Sequence, residues 1–145
     1  MKKLFLIAAV VFMSLGVACA EADRPITVDK LPQKAQQFIK SYYQQVGVTY
    51  AKEDKDLVST EYEVLLADGT KMEFSSSGEW TSVECKGGAV PEDIIPQQIK
   101  QYVAKNYPNT KILKIDRDRR DYEVTLSNRL ELKFNKEFRL IEIDD

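Results

Sequence analysis

The fold is decided by Asp121-Tyr122-Glu123-Val124-Thr125-Leu126, then Ser127-Asn128-Arg129, then Leu130-Glu131-Leu132-Lys133-Phe134. Apolar and polar side chains alternate in both outer runs, which predicts an antiparallel hairpin that buries one face. Sixty positions earlier, Glu61-Tyr62-Glu63-Val64-Leu65-Leu66 leads through Ala67-Asp68-Gly69 into Thr70-Lys71-Met72-Glu73-Phe74. The Tyr-Glu-Val triplet and the closing Phe fall at the same offset. A hairpin that occurs twice predicts two copies of one structural unit.

A helix is predicted before each hairpin. Asp29-Lys30-Leu31-Pro32 opens the first, because Asp can accept hydrogen bonds from the free amides of a first turn and Pro is tolerated there. Asp93-Ile94-Ile95-Pro96 repeats this start at an offset of 64. Gly47 and Pro108 are expected to end the two helices. Apolar residues at helical spacing predict a buried stripe on each helix: Ala35, Phe38, Ile39, Tyr42 and Val46, then Ile99, Tyr102, Val103 and Tyr107.

The fold class that follows is α+β, a tandem duplication of a helix plus a four-stranded antiparallel sheet. First strands are predicted at residues 48–52 and 111–116, charged turns at 53–56 and 117–120, and last strands at 79–85 and 138–143. Gly87-Gly88 marks the join, so the expected units are residues 21–86 and 87–145. A unit of roughly fifty residues is marginal alone. We therefore expect one compact domain, with the units side by side or their sheets joined and the helices on one face.

Residues 1–20 have the pattern of an export signal. Lys2 and Lys3 supply positive charge, residues 4–17 are almost all apolar, and Ala18-Cys19-Ala20 is a small-x-small cleavage site. Val17-Ala18-Cys19 also resembles the end of a lipoprotein box, in which Cys19 would be acylated. The expected location is therefore periplasmic or secreted after cleavage at Ala20, with a lipoprotein anchored through Cys19 as the alternative. Membrane attachment is expected only if Cys19 is lipidated.

Composition argues against several function classes. Loss of Lys2 and Lys3 with the signal leaves 19 basic and 23 acidic residues, a net charge of −4 without the basic footprint of a nucleic-acid binder. The chain has no His, which removes Ser-His and Cys-His triads and the common zinc sites, and leaves Cys85 without an activating base. Asp116, Asp118 and Asp121 suggest calcium, but interleaved arginines favour a charged turn. We expect no catalytic residues, no metal and no cofactor.

Strand alternation predicts which side chains face the helices and which remain open. The helix-facing set is Tyr62, Val64, Leu66, Met72, Phe74, Tyr122, Val124, Leu126, Leu130, Leu132 and Phe134. The open side is predicted to carry Glu61, Glu63, Lys71, Glu73, Glu123, Glu131 and Lys133. The pattern leaves open the facing of three aromatics, Trp80, Tyr50 and Phe138. The candidate partner-binding residues are Trp80, Tyr50, Glu61, Glu63, Lys71, Glu123 and Lys133, with Trp80 as an anchor if it is exposed.

The duplicated order of Leu/Ile-Pro, helix, Tyr-Glu-Val, turn and a strand that ends in Phe resembles the PepSY-like family of small exported bacterial proteins. The resemblance extends from about Pro25 to Asp145. It implies a fold similar to the β-lactamase inhibitor protein, with a concave sheet surface, and a non-enzymatic binding or inhibitory module. We expect this module to recognise a protein or peptide through the open sheet face. The alternative is a structural or envelope-associated lipoprotein without a soluble partner.

Overall fold

The structure, a computed structural model, describes residues 23–145. The predicted export signal and Cys19 lie outside these residues. The strands are β1 (Asp23–Ile26), β2 (Val48–Lys55), β3 (Thr60–Leu66), β4 (Lys71–Phe74), β5 (Trp80–Glu84), β6 (Ile112–Arg117), β7 (Asp121–Leu126), β8 (Glu131–Asn135) and β9 (Leu140–Asp144). The helices are α1 (Gln33–Tyr42) and α2 (Gln97–Asn106), and a short 3-10 turn precedes each (Val28–Lys30 and Glu92–Ile94).

The nine strands of residues 23–145 form one antiparallel sheet in sequence order, β1 to β9. The two predicted hairpins are present: Val64 lies opposite Met72 in β3–β4, and Val124 lies opposite Leu132 in β7–β8. Ser82, Val83 and Glu84 of β5 pair with Asp116, Ile115 and Lys114 of β6, so the two halves share a continuous sheet. The first half also gains β1, a strand that the sequence analysis did not predict and that pairs with β2.

One face of the sheet is apolar along its whole length. Its middle row joins residues that lie opposite each other on successive strands: Ala51, Val64, Met72, Val83, Ile115, Val124, Leu132 and Ile143. We call this side the core face. Phe38 of α1 contacts Phe74 edge-on with ring centroids 5.7 Å apart, and Tyr102 of α2 contacts Phe134 in the same way at 5.4 Å. These contacts attach each helix to the core face through an aromatic pair.

The helix starts differ from the sequence prediction. Each helix begins after a proline, Pro32 or Pro96, and no side chain caps it. Asp29 and Asp93 were predicted to cap the helices, but they belong to the preceding 3-10 turns. The 3-10 turn separates the aspartate from the first helical amides, and the fixed φ of proline starts the helix instead. Both helices also end earlier than predicted, at Tyr42 and Asn106.

Among residues 23–145, four turn residues take a positive φ, and one of them, Phe138, differs from the sequence prediction. Gly69 and Gly78 have φ of 89° and 88°, and the residues sixty positions later, Arg129 and Phe138, have φ of 76° and 62°. Phe138 was predicted to start a strand, but it ends a turn, with its amide donating to the carbonyl of Asn135 at 3.0 Å. Arg117 was assigned to a turn and instead ends β6. In the part of the chain that the structure describes, no helix is long and apolar enough to cross a membrane.

Candidate functional site

The sheet face opposite the core face carries charged side chains, and we call it the carboxylate face. Its middle row runs across eight strands through residues that lie opposite each other: Lys52, Glu63, Glu73, Ser82, Asp116, Glu123, Lys133 and Glu142. Strand alternation puts these side chains opposite to the apolar row because neighbouring residues of a strand point to opposite faces. Carboxylates outnumber amines in the row, so the face is acidic.

Six of the seven candidate binding residues lie together on this face. Glu63, Glu123 and Lys133 belong to the middle row itself. Glu61 lies two residues before Glu63 on β3 and therefore points to the same face. Tyr50 and Lys71 flank Leu65 in the adjacent row. The Tyr50 hydroxyl donates a hydrogen bond to a carboxylate oxygen of Glu63, and 36% of Tyr50 is exposed. Tyr50, whose facing the sequence left open, therefore belongs to the carboxylate face.

The centre of the row is where the two halves of the sheet join. Ser82 is buried, and Glu73 and Asp116 lie opposite it on the neighbouring strands. Burial raises the pKa of Glu73, and the nearby Glu63 carboxylate raises it further. Burial also raises the pKa of Glu123, with a further contribution from Glu131. Both shifts have the same physical cause, since half-buried carboxylates that repel each other hold a proton more tightly.

Lysines surround this acidic centre. Glu63 lies 3.7 Å from the amine of Lys52 and 3.6 Å from that of Lys71. On the other side, the Lys133 amine lies 3.8 Å from Glu123 and 3.5 Å from Glu142, and Lys114 lies 3.4 Å from Asp116. Among residues 23–145, Glu73 makes no ion pair within 4.0 Å. Glu73 is therefore the carboxylate of the row that lysines neutralise least.

Trp80 differs from the other six candidates because it is buried, with 8% of its surface exposed. The guanidinium of Arg117 covers the ring at 3.8 Å from its centroid, and the Nε of Arg117 donates to the Trp80 carbonyl at 2.7 Å. This stack forms one wall of an open groove of about 760 Å³, which Glu61, Glu73 and Lys136 also line. The ring thus offers little surface to a partner, and its contacts are those of a structural residue.

The structure adds an apolar feature that the sequence analysis did not single out. Leu57 and Val58, at the tip of the β2–β3 hairpin, have relative exposures of 104% and 93%. The Asp56 carboxylate holds this tip by accepting hydrogen bonds from the amides of Val58 and Ser59, both at 2.7 Å. The tip lies in the stretch where the repeat offset falls from 64 to 60, and that extra length is the signal in the sequence that could have revealed it.

The aspartates that suggested calcium are engaged in other ways. The Asp118 carboxylate accepts hydrogen bonds from the amides of Arg120 at 2.6 Å and Asp121 at 3.0 Å. These two bonds hold the pKa of Asp118 below its ordinary value. Asp116 lies beside Lys114 on the carboxylate face. Within residues 23–145, no three or more His, Cys, Asp or Glu side chains form a group that could hold a metal ion.

Three solved structures resemble this chain in both sequence and fold. A "putative calcium-regulated periplasmic protein" of Bacteroides thetaiotaomicron is 50% identical with a TM-score of 0.82, over 85% of this chain and 97% of its own. Two proteins of Bacteroides vulgatus described as periplasmic are 48% and 42% identical. Their TM-scores are 0.84 and 0.81, over 87% and 85% of this chain and 99% of each of theirs. One of the two is assigned to the DUF2874 family, and the other is described as of unknown function.

No curated protein matches the chain significantly. The family model that does match has the description "Putative beta-lactamase-inhibitor-like, PepSY-like", and its match covers residues 60–142. The matched stretch runs from β3 to β9 and therefore contains both hairpins from which the sequence analysis began. Together with the relatives that are nearly half identical over most of their length, this match shows that the chain belongs to the PepSY-like family.

Proposed function

We propose that this protein is an exported, non-enzymatic binding module that recognises a basic protein or peptide segment through its carboxylate face. The observation that carries the proposal is the row of half-buried carboxylates around Ser82, where Glu73 has no ion-pair partner among residues 23–145. A broad face of fixed charge suits electrostatically selective recognition and fast association with a partner of opposite charge. Burial and repulsion between carboxylates raise the pKa of Glu73 and Glu123, and bound lysine or arginine side chains would relieve the repulsion.

The exposed tip supplies an apolar element beside this charged face. Charge gives selectivity and rate, whereas burial of apolar groups gives most of the affinity in a protein interface. Leu57 and Val58 follow directly after β2, the strand that carries Tyr50 and Lys52 of the carboxylate face. We include the tip in the binding surface, and inhibition of an enzyme, as in the family's name, is one form that such binding could take.

The architecture that supports this proposal is a tandem duplication. We infer that residues 21–86 and 87–145 are two helix-plus-four-strand units of one compact domain, the first extended by β1, with both helices on the core face. The aromatic pairs Phe38–Phe74 and Tyr102–Phe134 support this inference because they repeat the same helix-to-sheet contact at offsets of 64 and 60. Helices on one face leave the opposite face free for a partner.

We propose the periplasm as the location, with cleavage after Ala20. The apolar run and cleavage pattern of residues 1–20 support export, and the relatives named above are described as periplasmic. The alternative that follows from Cys19 is a structural, envelope-attached lipoprotein. Mass spectrometry of the mature N-terminus distinguishes the two, because acylation at Cys19 leaves that residue first and heavier by its acyl chains.

The test of the proposed function is capture of a partner from the exported fraction of the source cell. The mature protein on a resin should retain one basic protein or peptide in stoichiometric amount, and retention should fall as salt rises. The double variant Glu61→Lys/Glu131→Lys reverses one exposed charge in each half of the carboxylate face. It should reduce the amount captured at least ~10-fold, because each new lysine repels the basic partner that the glutamate attracted.

The matched control is Glu92→Lys/Glu137→Lys, which makes the same charge change at exposed positions outside the strands. Both double variants should melt cooperatively within a few degrees of the parent protein, because surface substitutions change stability little. Equal capture by all three proteins would exclude the carboxylate face as the binding surface. An empty resin with folded bait would favour the structural alternative.

A further inference from the structure

The outer edge of β9 differs from the rest of the sheet. Within residues 23–145, β9 is the last strand and nothing pairs with its second edge. Ile141 and Ile143 on this strand are 54% and 50% exposed, the largest exposed aliphatic surface of any strand described. Edge strands of this kind present free amides and carbonyls to another chain, and proteins normally protect them with proline, charge or a bulge.

The opposite edge has such protection. Strand β1 contains Pro25, which cannot donate a backbone hydrogen bond, and its neighbours carry ion pairs. Arg24 lies 3.0 Å from Glu53, and Asp23 lies 2.8 Å from the amine of Lys52. Strand β9 contains no proline; it has a register shift at its start and two carboxylates, Glu142 and Asp144. These carboxylates repel an acidic strand but attract a basic one, so the edge is available for pairing with a basic segment.

The molecule itself shows what a strand at this position does. Strand β5 holds the same place in the first half, because Val83 lies opposite Met72 as Ile143 lies opposite Leu132. Strand β6 pairs with the outer edge of β5, placing Asp116 opposite Ser82, Ile115 opposite Val83 and Lys114 opposite Glu84. Val83 is consequently fully buried, whereas Ile143 remains half exposed. The covering strand thus places an apolar residue opposite the apolar one and a basic residue opposite the carboxylate.

We propose that the outer edge of β9 binds an extended segment of a partner in which apolar and basic residues alternate, by addition of an antiparallel strand. Its apolar side chains would cover Ile143 on the core face and the exposed Ile141 beside the register shift. Its basic side chains would lie opposite Glu142 and Asp144, which are on the carboxylate face and correspond to Ser82 and Glu84 of β5. Main-chain hydrogen bonds then give affinity, and the alternating side chains give specificity.

Charge selects this occupant over a second copy of the chain. Antiparallel pairing of two β9 strands would bring Glu142 and Asp144 of one copy beside those of the other. Like charges opposite each other destabilise a strand pair, whereas opposite charges stabilise it. The proposal concerns a surface at the edge of the sheet and does not depend on binding at the centre of the carboxylate face.

The test uses the exported protein and a short fluorescent peptide in which lysine alternates with isoleucine and valine. Anisotropy should show saturable binding, and NMR hydrogen exchange should slow at least ~10-fold for amides of Leu140–Asp144 but not for those of Asp23–Ile26. The same peptide with alternate N-methyl groups should not bind, because it cannot form the ladder. Binding of the methylated peptide, or protection outside β9, would overturn the proposal.

Two protein variants test whether the basic peptide lies against β9. Asp144→Lys should weaken binding of the basic peptide ~5-fold and allow the corresponding glutamate peptide to bind, since it reverses a cross-strand charge pair. Glu92→Lys makes the same kind of charge reversal at an exposed position outside the strands and should leave binding unchanged. Equal losses in both variants would contradict edge binding. Protection of β9 that grows with protein concentration without peptide would show a second copy as the occupant instead.

Discussion

Strands β5 and β9 occupy the same place in the two halves and have opposite surroundings. Both follow a tight turn, and both pair on one side with the strand that closes the preceding hairpin. The apolar row of the core face is fully or almost fully buried from Ala51 to Leu132, where relative exposures are 0–3%. The relative exposure then rises to 50% at Ile143. The difference teaches that a strand residue is buried by its neighbours on both sides, so identical local patterns can give a core strand and an open edge.

The turn before β5 is more tightly fixed than the turn before β9, and Gly78→Ala should have the largest effect. A Cβ at Gly78 would lie 2.8 Å from the Cβ of Pro32 and 3.1 Å from the backbone nitrogen of Ala35 at the start of α1. The positive φ of 88° adds backbone strain. We expect a loss of about 3 kcal/mol or more in the free energy of unfolding, measured by urea denaturation.

Gly69→Ala is the control for this prediction. Gly69 has almost the same φ, 89°, but nothing lies within 4 Å of the position that its Cβ would take. It should therefore lose only about 1 kcal/mol, the cost of the left-handed backbone. Equal losses in the two variants would mean that the contact with α1 does not fix the first turn. The second half accommodates Phe138 at the position of Gly78, at a φ of 62°.

The difference in burial between β5 and β9 can be measured with two substitutions by alanine, one on each strand. Val83→Ala should cost about 2 kcal/mol of unfolding free energy, because it opens a cavity in a closed row. Ile143→Ala removes more carbon but from a half-exposed position, so it should cost about 1 kcal/mol. Guanidinium denaturation gives both free-energy losses, provided that the dependence of the unfolding free energy on denaturant concentration has the same slope in each protein. A larger loss at Ile143 than at Val83 would show that β9 is covered in solution.

The smallest effect is expected on the carboxylate face, where Glu73 corresponds to Lys133 of the second half. Burial and Glu63 raise the pKa of Glu73 above its ordinary value near 4.5, so the folded state binds this proton more tightly than the unfolded state. The stability that this provides is fully present below pH 4.5 and is lost as the pH rises through the higher folded pKa. Glu73→Gln should therefore stabilise the protein at pH 7, by on the order of 0.5 kcal/mol.

This gain should disappear below pH 4, where Glu73 is protonated in both states. Thermal melting of the parent protein and the variant from pH 3 to pH 7 gives the comparison. Glu61→Gln is the control, because Glu61 is exposed at the edge of the same face. A Glu73→Gln gain that is the same at every pH would point to packing rather than charge, and would remove one support for the acidic centre.

Much of the fold follows from local sequence. Tyr62-Glu63-Val64 and Tyr122-Glu123-Val124 alternate so regularly that both hairpins and the facing of their side chains could be predicted. The helices could be predicted from their apolar stripes, but their starts could not. Asp29 is a good cap by type, whereas the structure places a 3-10 turn and a proline before the first helical residue. Local propensity thus gave the element and not its boundary.

The candidate site was predictable only in part. Glu61, Glu63, Lys71, Glu123 and Lys133 could be assigned to one face because strand alternation has a period of two. Trp80 and Arg117 could not, because a register shift lies between β4 and β5 at Phe74, and their stack joins two halves that are distant in sequence. The exposure of Leu57 and Val58 follows no alternation within their own segment, and only the extra length of this stretch relative to the second copy points to it.

The sequence by itself determined the two hairpins, the two amphipathic helices and the acidic character of one sheet face, because each depends on periodicity within a short segment. Only the tertiary structure decided that β5 pairs with β6, that the carboxylates meet around Ser82, and that β9 remains an edge. Those results depend on which strands become neighbours, and strand pairing is a property of the whole chain. The same alternating pattern therefore yields a buried centre at Val83 and an open, acidic edge at Ile143.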